Sequence, residues 1–263
     1  MKLHPLFTLV PALLLAACST PSRSPAPLER APATYRTAER PGVGTTWGEQ
    51  RDSWVEPTYF VRQWGSHPAA RDQLFYNDRD GNDATFSFLG GTPELANGLQ
   101  PSASGLVRLG LRNAERRWLE TWRLGARKFA TGERGERYEI VLHNPTARRV
   151  EIVLSVDGLD ALDGKSAAFA KRGYVLAPKE TLAVEGFRTS DGTVAAFRFG
   201  AMGESYAQRR HSDATNVGVI GLAVFQERWW AGDTLPRPEN RAWRSTEPHH
   251  LPDSRPYATP PDA

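Results

Sequence analysis

Three aspartates recur at every third position of the run DGLDALDGK, as Asp157, Asp160 and Asp163. Carboxylates this close in sequence could hold a cation or bind a basic ligand, and could act as acid and base on a polymer. On a helix they would cluster, but the run leaves a predicted strand and contains two glycines. The other interpretation is structural: the aspartates cap turns and bond to local backbone, with Lys171 and Arg172 neutralising them. The pattern favours this structural interpretation and keeps the three aspartates as ligand-binding candidates.

A second candidate for chemistry is Ser205, in the run GESYA at residues 203–207. The run is one residue short of the G-x-S-x-G pattern, in which a sharp turn between a strand and a helix exposes a nucleophilic serine. His211 is the only base nearby in the sequence. Because the following residues lead toward another strand, a polar loop is favoured and no catalytic residue is predicted.

A third candidate is a cation site in the run DRDGN, where Asp78, Asp80 and Asn82 stand at alternate positions, as at the start of an EF-hand loop. Asp83 then occupies the place of the glycine at the sharp turn, and Leu89 that of the bidentate glutamate. A solvated turn is therefore favoured over calcium. The six histidines and one cysteine form no zinc signature, and we predict no cofactor.

Aromatic residues are dense at the start of the predicted domain, and Trp229 and Trp230 follow its last predicted strand. Exposed, such rings would suit sugars or a protein partner. Buried, they would cover the open ends of a β-sandwich, which general burial tendencies favour. Trp229 and Trp230 join the aspartates as ligand-binding candidates. The N-terminal group comprises Trp47, Trp54, Tyr59, Phe60, Trp64, Phe75 and Tyr76.

Cys18, the only cysteine, lies in the most specific motif of the sequence. The N-terminus has a basic start at Lys2 and then an apolar run over residues 6–17, too short for a permanent membrane span. The run ends in Leu15-Ala16-Ala17-Cys18, which resembles the lipobox of bacterial lipoproteins. We expect residues 1–17 to be a signal peptide and Cys18 to carry lipid (palmitate) as a membrane anchor, in the outer membrane if Ser19 is read as in enterobacteria.

Two proline-rich segments flank the predicted domain. Residues 18–42 lack apolar periodicity and indicate a disordered, extended tether. Residues 233–263 indicate a Pro-rich tail, extended or disordered, whose removal from Pro248 onward should barely change stability. The folded domain is then expected over residues 43–232.

Within this domain the pattern is β. We predict strands at residues 85–89, 106–111, 137–143, 149–156, 174–176, 181–184, 194–199 and 217–225, with the last buried on both faces. The turn-forming run at residues 144–148 indicates a hairpin between two of these strands. Residues 114–123 fit either a short helix or an irregular strand. The predicted fold is mainly β, an antiparallel β-sandwich that is Ig-like or jelly-roll-like.

From Glu136 to Phe225 the sequence resembles a family of uncharacterised proteobacterial secreted or lipid-anchored proteins. The resemblance rests on the runs VDGLD, DGK, KRGY, GFRTS, AAFRF, SYA and NVGVIG, covers about a third of the chain and implies no activity. The formal net charge is +3, and basic residues alternate with acidic ones, so no nucleic-acid partner is predicted.

These observations favour a non-enzymatic cell-envelope lipoprotein that binds or scaffolds a protein or glycan partner. The alternative is a hydrolase of envelope or extracellular polymers that uses Asp157 or Asp160, or Ser205. A buried carboxylate pair facing a cleft lined by tryptophans would favour the hydrolase, whereas an aromatic surface would favour the binding module.

Overall fold

The computed structural model describes residues 42–228 and 257–261. The expected signal peptide, Cys18, nearly all of the tether, Trp229, Trp230 and most of the tail lie outside the described residues. Within the described ranges, no helix has the length and apolar character needed to cross a membrane.

The described chain is mainly β, with two short α-helices. The strands are β1 Val43–Asp52, β2 Ala70–Asn77, β3 Glu94–Leu95, β4 Gln100–Pro101, β5 Arg108–Asn113, β6 Thr121–Leu124, β7 Arg127–Thr131, β8 Arg137–His143, β9 Val150–Val156, β10 Leu159–Asp160, β11 Tyr174–Leu176, β12 Thr181–Val184, β13 Gly186–Arg188, β14 Thr193–Ala201 and β15 Val219–Gln226. The helices are α1 Arg79–Leu89 and α2 Tyr206–His211, and a 3₁₀ turn, Met202–Glu204, precedes α2.

The strands form two sheets. The first sheet has the order β1-β14-β8-β5-β4, with β12 beside β8 and β13 beside β14. The second has the order β10-β9-β15-β2-β7-β6-β3, with β11 beside β9. Among the described strands, the pairing of β2 with β7 is parallel and the other pairings are antiparallel.

The main core lies between the two sheets. Tyr76 of β2, in the second sheet, packs against Tyr138 and Phe199 of the first sheet, at ring-centroid distances of 6.2 and 5.4 Å. Aliphatic side chains of β8 and β9 fill the space beside these rings, among them Ile140 and Ile152. The packing of two sheets on a shared core confirms the mainly β, sandwich-like architecture.

The predicted strands at 137–143 and 149–156 are confirmed as β8 and β9, but the hairpin between them is wrong. β8 belongs to the first sheet and β9 to the second. Each strand instead pairs with others, β8 with β5, β12 and β14 and β9 with β10, β11 and β15. The buried side chain of Asn144 holds the connection, because its amide donates to the carbonyls of Arg148 at 2.7 Å and Ala177 at 2.9 Å. These bonds fold the connection into a loop between the sheets and leave both strands free to be central in their own sheet.

The predicted strand at 85–89 is also wrong, since these residues form the second half of α1. Phe86 on this helix packs edge-on against Phe129 of β7, at a centroid distance of 5.2 Å. Asn82, one turn earlier, is buried on the same face. A spacing of four residues between buried side chains is helical, and the short apolar run concealed it. The ambiguous stretch 114–123 is a turn that leads into β6.

The other predicted strands are confirmed with small changes at their ends. β11 and β12 have the predicted bounds. The apolar run at 217–225 forms β15, which lies between β9 and β2 at the centre of the second sheet.

Candidate functional site

Asp157 lies in a polar network inside the core. Its Oδ2 accepts from the backbone amide of Thr45 at 2.8 Å. Its Oδ1 accepts from the Tyr76 hydroxyl and from the Gly218 amide, the latter at 2.9 Å. The Thr45 hydroxyl lies 2.6 Å from that of Tyr76 and 2.5 Å from that of Tyr138. This network therefore joins β1 and β8 of the first sheet to β2 and the end of β9 in the second.

Burial governs the titration of this network. It raises the pKa of Asp157 from 3.8 to about 6, although the hydrogen bond from Tyr76 and those from backbone amides oppose the shift. Burial, reinforced by the nearby charge of Asp157, also raises the pKa of Tyr76 and Tyr138 well above 10.0. Both phenols therefore stay protonated at neutral pH, and Tyr76 remains a donor to the carboxylate. Asp157 is 3% exposed, so it does not contact solvent as a surface acid would.

Asp160 and Asp163 lie nearby in sequence but have different partners. Asp160 is buried and accepts from the amide of Leu162 at 2.8 Å, and burial raises its pKa to about 6. Asp163 pairs with Lys171, whose Nζ lies 2.7 and 2.9 Å from the two carboxylate oxygens. Asp160 and Asp163 thus have the local backbone and Lys171 contacts of the structural interpretation. Asp157 instead bonds to distant residues, and Arg172 donates to the Phe60 carbonyl at 3.1 Å. No group of three His, Cys, Asp or Glu side chains that could hold a metal ion occurs among the described residues.

The calcium candidates begin a helix. Asp78 is the N-cap of α1, and its Oδ1 accepts from the Gly81 amide at 2.8 Å. The buried amide of Asn82 donates to the Ala130 carbonyl at 3.0 Å. Asp80 stands in the first helical turn. The structure thus has a helix start where a calcium site would need a ligand loop.

Ser205 also caps a helix. Its side chain is fully buried and accepts from the Gln208 amide at 3.2 Å at the start of α2. The helix after the serine, which the sequence did not indicate, is therefore present but only six residues long. His211 directs Nε2 to the Gly164 carbonyl, 2.9 Å away. The geometry does not bring the two side chains together as a nucleophile and its base.

The aromatic residues divide into two groups. Trp47, Phe60 and Tyr76 pack into the domain, as the general burial tendency predicted. Trp54 and Tyr59, in contrast, are 82% and 79% exposed, and Trp64 is half exposed. The three exposed rings lie in residues 53–65, which we call the aromatic segment.

The backbone of the aromatic segment is fixed at both ends. Near its start, the Ser53 amide donates to the Gly192 carbonyl at 2.9 Å. Near its end, the Gln63 amide donates to the Gln226 carbonyl at 2.9 Å. Phe60, between them, packs into a small cluster with Phe225 on the outer face of the second sheet. The exposed rings are thus carried by backbone that the domain holds in place.

Arg62 anchors the segment most strongly and was not singled out from the sequence. Its Nε lies 2.7 Å from the buried Glu151 carboxylate, and its guanidinium lies 3.5 Å from the ring centroid of Phe225. It also donates to the carbonyls of Phe169 and Lys171. The sequence contains thirty-three Lys and Arg residues, and nothing in the residues around Arg62 distinguishes it from the others.

Comparison of the chain with models of protein families, with curated proteins and with solved structures gave no match. The resemblance over residues 136–225 therefore stays a prediction.

Proposed function

We propose that this chain is a non-enzymatic binding module of the bacterial cell envelope, held at a membrane by lipid on Cys18, that binds a glycan through the aromatic segment. The observation that supports this most directly is the exposure of Trp54 and Tyr59 on a backbone fixed to the domain. Aromatic rings that are open to solvent on a fixed backbone present flat apolar faces to a ligand.

The fixed backbone favours binding because less conformational entropy is lost when a ligand docks. Besides its end contacts, the segment is held in its middle by Arg149, whose Nη2 donates to the Tyr59 carbonyl at 2.8 Å. The ring of Trp54 lies against Gly192, where an added Cβ would be 3.2 Å from it. Both rings are therefore held near the surface with much of their area open.

A saccharide fits the segment better than a protein partner does. Exposed polar residues such as Glu56 and Thr58 alternate with the rings along the segment, whereas the core of a stable protein interface is depleted in charged residues. A sugar presents C–H faces to aromatic rings and hydroxyls to the polar groups between them. Binding to a protein and to no glycan would contradict this choice of ligand.

The alternative, a polymer hydrolase, requires an acid or nucleophile that substrate can reach. Asp157 and Asp160 have raised pKa values suited to an acid, but both are almost completely buried, and their partners are backbone amides and, for Asp157, the Tyr76 hydroxyl. Ser205 is buried as well. We therefore prefer the binding module.

A glycan array probed with the full-length chain in detergent tests the proposal. We expect saturable binding to a defined glycan class that becomes at least about 10-fold weaker in the double variant Trp54→Ala, Tyr59→Ala, since each ring contributes about 1 kcal/mol. The matched control is Phe88→Ala, which removes an aromatic ring that is equally exposed but lies on α1. Equal loss in the control, or no glycan bound by the parent, would contradict the proposal.

A further inference from the structure

A polar pocket lies on the face of the first sheet opposite the core. Its lining comes from β1, from the turn after β5, from β8 and from the residue between β12 and β13. The cavity measures about 360 Å³ when the solvent at its mouth is included. Its charged lining consists of Arg51, Arg116, Arg137, Glu139 and Glu185.

The two glutamates of the pocket already have cationic partners. Glu139 lies 2.7 Å from Nε of Arg112, next to it on β5, and Glu185 pairs with Arg51 at 3.8 Å. Outside the lining, Glu49 is shared between Arg198 at 2.8 Å and the pocket residue Arg137 at 3.3 Å. The pocket and these direct partners therefore contain five arginines and three glutamates, which leaves two positive charges in excess.

The titration of Glu49 reflects the same excess of positive charge. Its hydrogen bond with Arg198 is the main cause that lowers the pKa of Glu49 from 4.5 to about 2, against the opposing effect of partial burial. Of the two arginines that hold Glu49, Arg137 also lines the pocket. Their guanidinium groups come from different strands and do not form a single stripe along one element.

Arg116 differs from the other two arginines of the pocket in its contacts and in its backbone conformation. Among the described residues its guanidinium has no ion-pair or hydrogen-bond partner, and its backbone adopts a φ of 61°, which disfavours side chains with a Cβ. Arg51 and Arg137 have partners, but at 3.8 and 3.3 Å these are long contacts. All three can turn toward a stronger acceptor at little cost.

We propose that this pocket binds the phosphate group of a phosphomonoester through Arg51, Arg116 and Arg137. A tetrahedral phosphate with two charges matches three guanidinium groups on different elements and the local excess of two, whereas a planar carboxylate is satisfied by one bidentate arginine. The phosphate can belong to a sugar or to a lipid headgroup. The pocket and the aromatic segment share no residue, so this proposal does not rest on the proposed function.

The test is a titration of the full-length chain at low salt, followed by ³¹P NMR and calorimetry. The first probe is inorganic phosphate, the second is glucose 6-phosphate, and the third is phosphatidylcholine vesicles with and without phosphatidic acid. We expect saturable binding to phosphate, with at least about 5-fold weaker binding for Arg116→Gln and for Arg137→Gln, because each removes a charged hydrogen bond. Tighter binding of the second or third probe than of phosphate identifies the source of the group.

Three further variants separate this result from misfolding and from general charge. Arg127→Gln removes one charge from an exposed arginine on β7, in the other sheet, and should bind like the parent. Glu185→Gln removes a competing carboxylate from the pocket and should bind phosphate more tightly. Arg116→Gly removes the side chain and relieves the unfavourable φ, so it should bind weakly while its thermal midpoint does not fall.

Two results would overturn the proposal. One is no saturable binding of any of the three probes at low salt. The other is equal weakening by Arg127→Gln and Arg116→Gln, which would mean that phosphate responds only to net charge. In either case the glycan-binding result for Trp54 and Tyr59 is unaffected, because those residues are unchanged in every variant of this series.

Discussion

At the scale of single residues, Asp157 belongs to a local sequence motif, but its hydrogen-bond partners come from distant parts of the chain. The residue adopts a φ of 54°, and Gly218, one of its donors, has a φ of 89° that favours glycine. These two backbone conformations bring the Asp157 carboxylate and the Gly218 amide together inside the core. The result is a charged or protonated group, according to pH, at the junction of the two sheets.

The raised pKa of Asp157 predicts how stability depends on pH. Because the folded-state pKa of about 6 exceeds the ordinary 3.8, the folded state binds the proton more tightly. The contribution of Asp157 to stability is therefore fully present below pH 3.8 and is lost as the pH rises through about 6. Over that window the loss is about 3 kcal/mol, from a shift of roughly two pKa units.

Urea unfolding of the parent and of Asp157→Asn at pH 4 and pH 7 measures this term. The asparagine cannot titrate, and its NH₂ group would face the Thr45 amide, so the variant should be less stable at both pH values. The difference between parent and variant should be smaller at pH 7 than at pH 4. Asp160, whose pKa is also raised to about 6, is unchanged in both proteins, so its contribution cancels. A difference that does not depend on pH would contradict the assignment to Asp157.

At the scale of elements, the end of the chain behaves differently from the expectation for a proline-rich tail. Residues 257–261 pack on the domain, and we call them the C-terminal strap. Ala258 is buried in the main core, and its amide donates to the Arg188 carbonyl at 2.9 Å. The Tyr206 hydroxyl donates to the Thr259 carbonyl at 2.7 Å. Gly164 leaves room for the strap, since a Cβ there would lie 2.7 Å from that of Ala258.

Removal of the C-terminal strap should therefore destabilise the domain, contrary to the expectation from composition. A chain ending at Pro256 loses a buried alanine and leaves the Arg188 carbonyl and the Tyr206 hydroxyl without their partners. We expect a loss of about 1–3 kcal/mol in the free energy of unfolding. A chain ending at Pro261 is the control and should match the parent. Equal stability of all three chains would show that the strap contributes nothing to folding.

The two wrong predictions have different causes. Strand tendency depends on a few neighbouring residues, and β8 has the bounds predicted from its sequence. Pairing depends on contacts far along the chain, so the turn at 144–148 suggested a hairpin, whereas β8 pairs with β5, β12 and β14 and β9 pairs with β15 and β11. For α1, a short apolar run fitted either state, and the N-cap at Asp78 with the buried face of Asn82 and Phe86 favoured the helix.

At the scale of the whole molecule, the two proposed sites share no residue, although Arg51 of the pocket precedes Trp54 of the aromatic segment by only three positions. The aromatic segment packs through Phe60 on the second sheet, and the arginine pocket lies on the first. The polar network around Asp157 connects the sheets between them. If both proposals hold, the glycan and the phosphate group contact different residues of the chain.

The anchor itself lies outside the described residues and stays a prediction. Cys18→Ser should abolish lipid attachment, because a hydroxyl does not replace the thiol in this modification. Metabolic labelling with palmitate, followed by fractionation of cells, checks this: the parent should be labelled and in the membrane fraction, and the variant unlabelled, as precursor or soluble material. A labelled variant would contradict lipidation at this position.

The mainly β class and most strand positions follow from the amino-acid sequence alone, and so does the prominence of Asp157 in its motif. These depend on alternation, β-branched content and turn residues, which act over a few positions. The folded arrangement was needed to see that Asp157 bonds to Tyr76 and Thr45, which are 81 and 112 residues away, and that Trp54 is exposed whereas Trp47 packs into the core. The reason is physical: burial and long-range hydrogen bonds depend on which surfaces the folded chain brings together, and no local pattern encodes that choice.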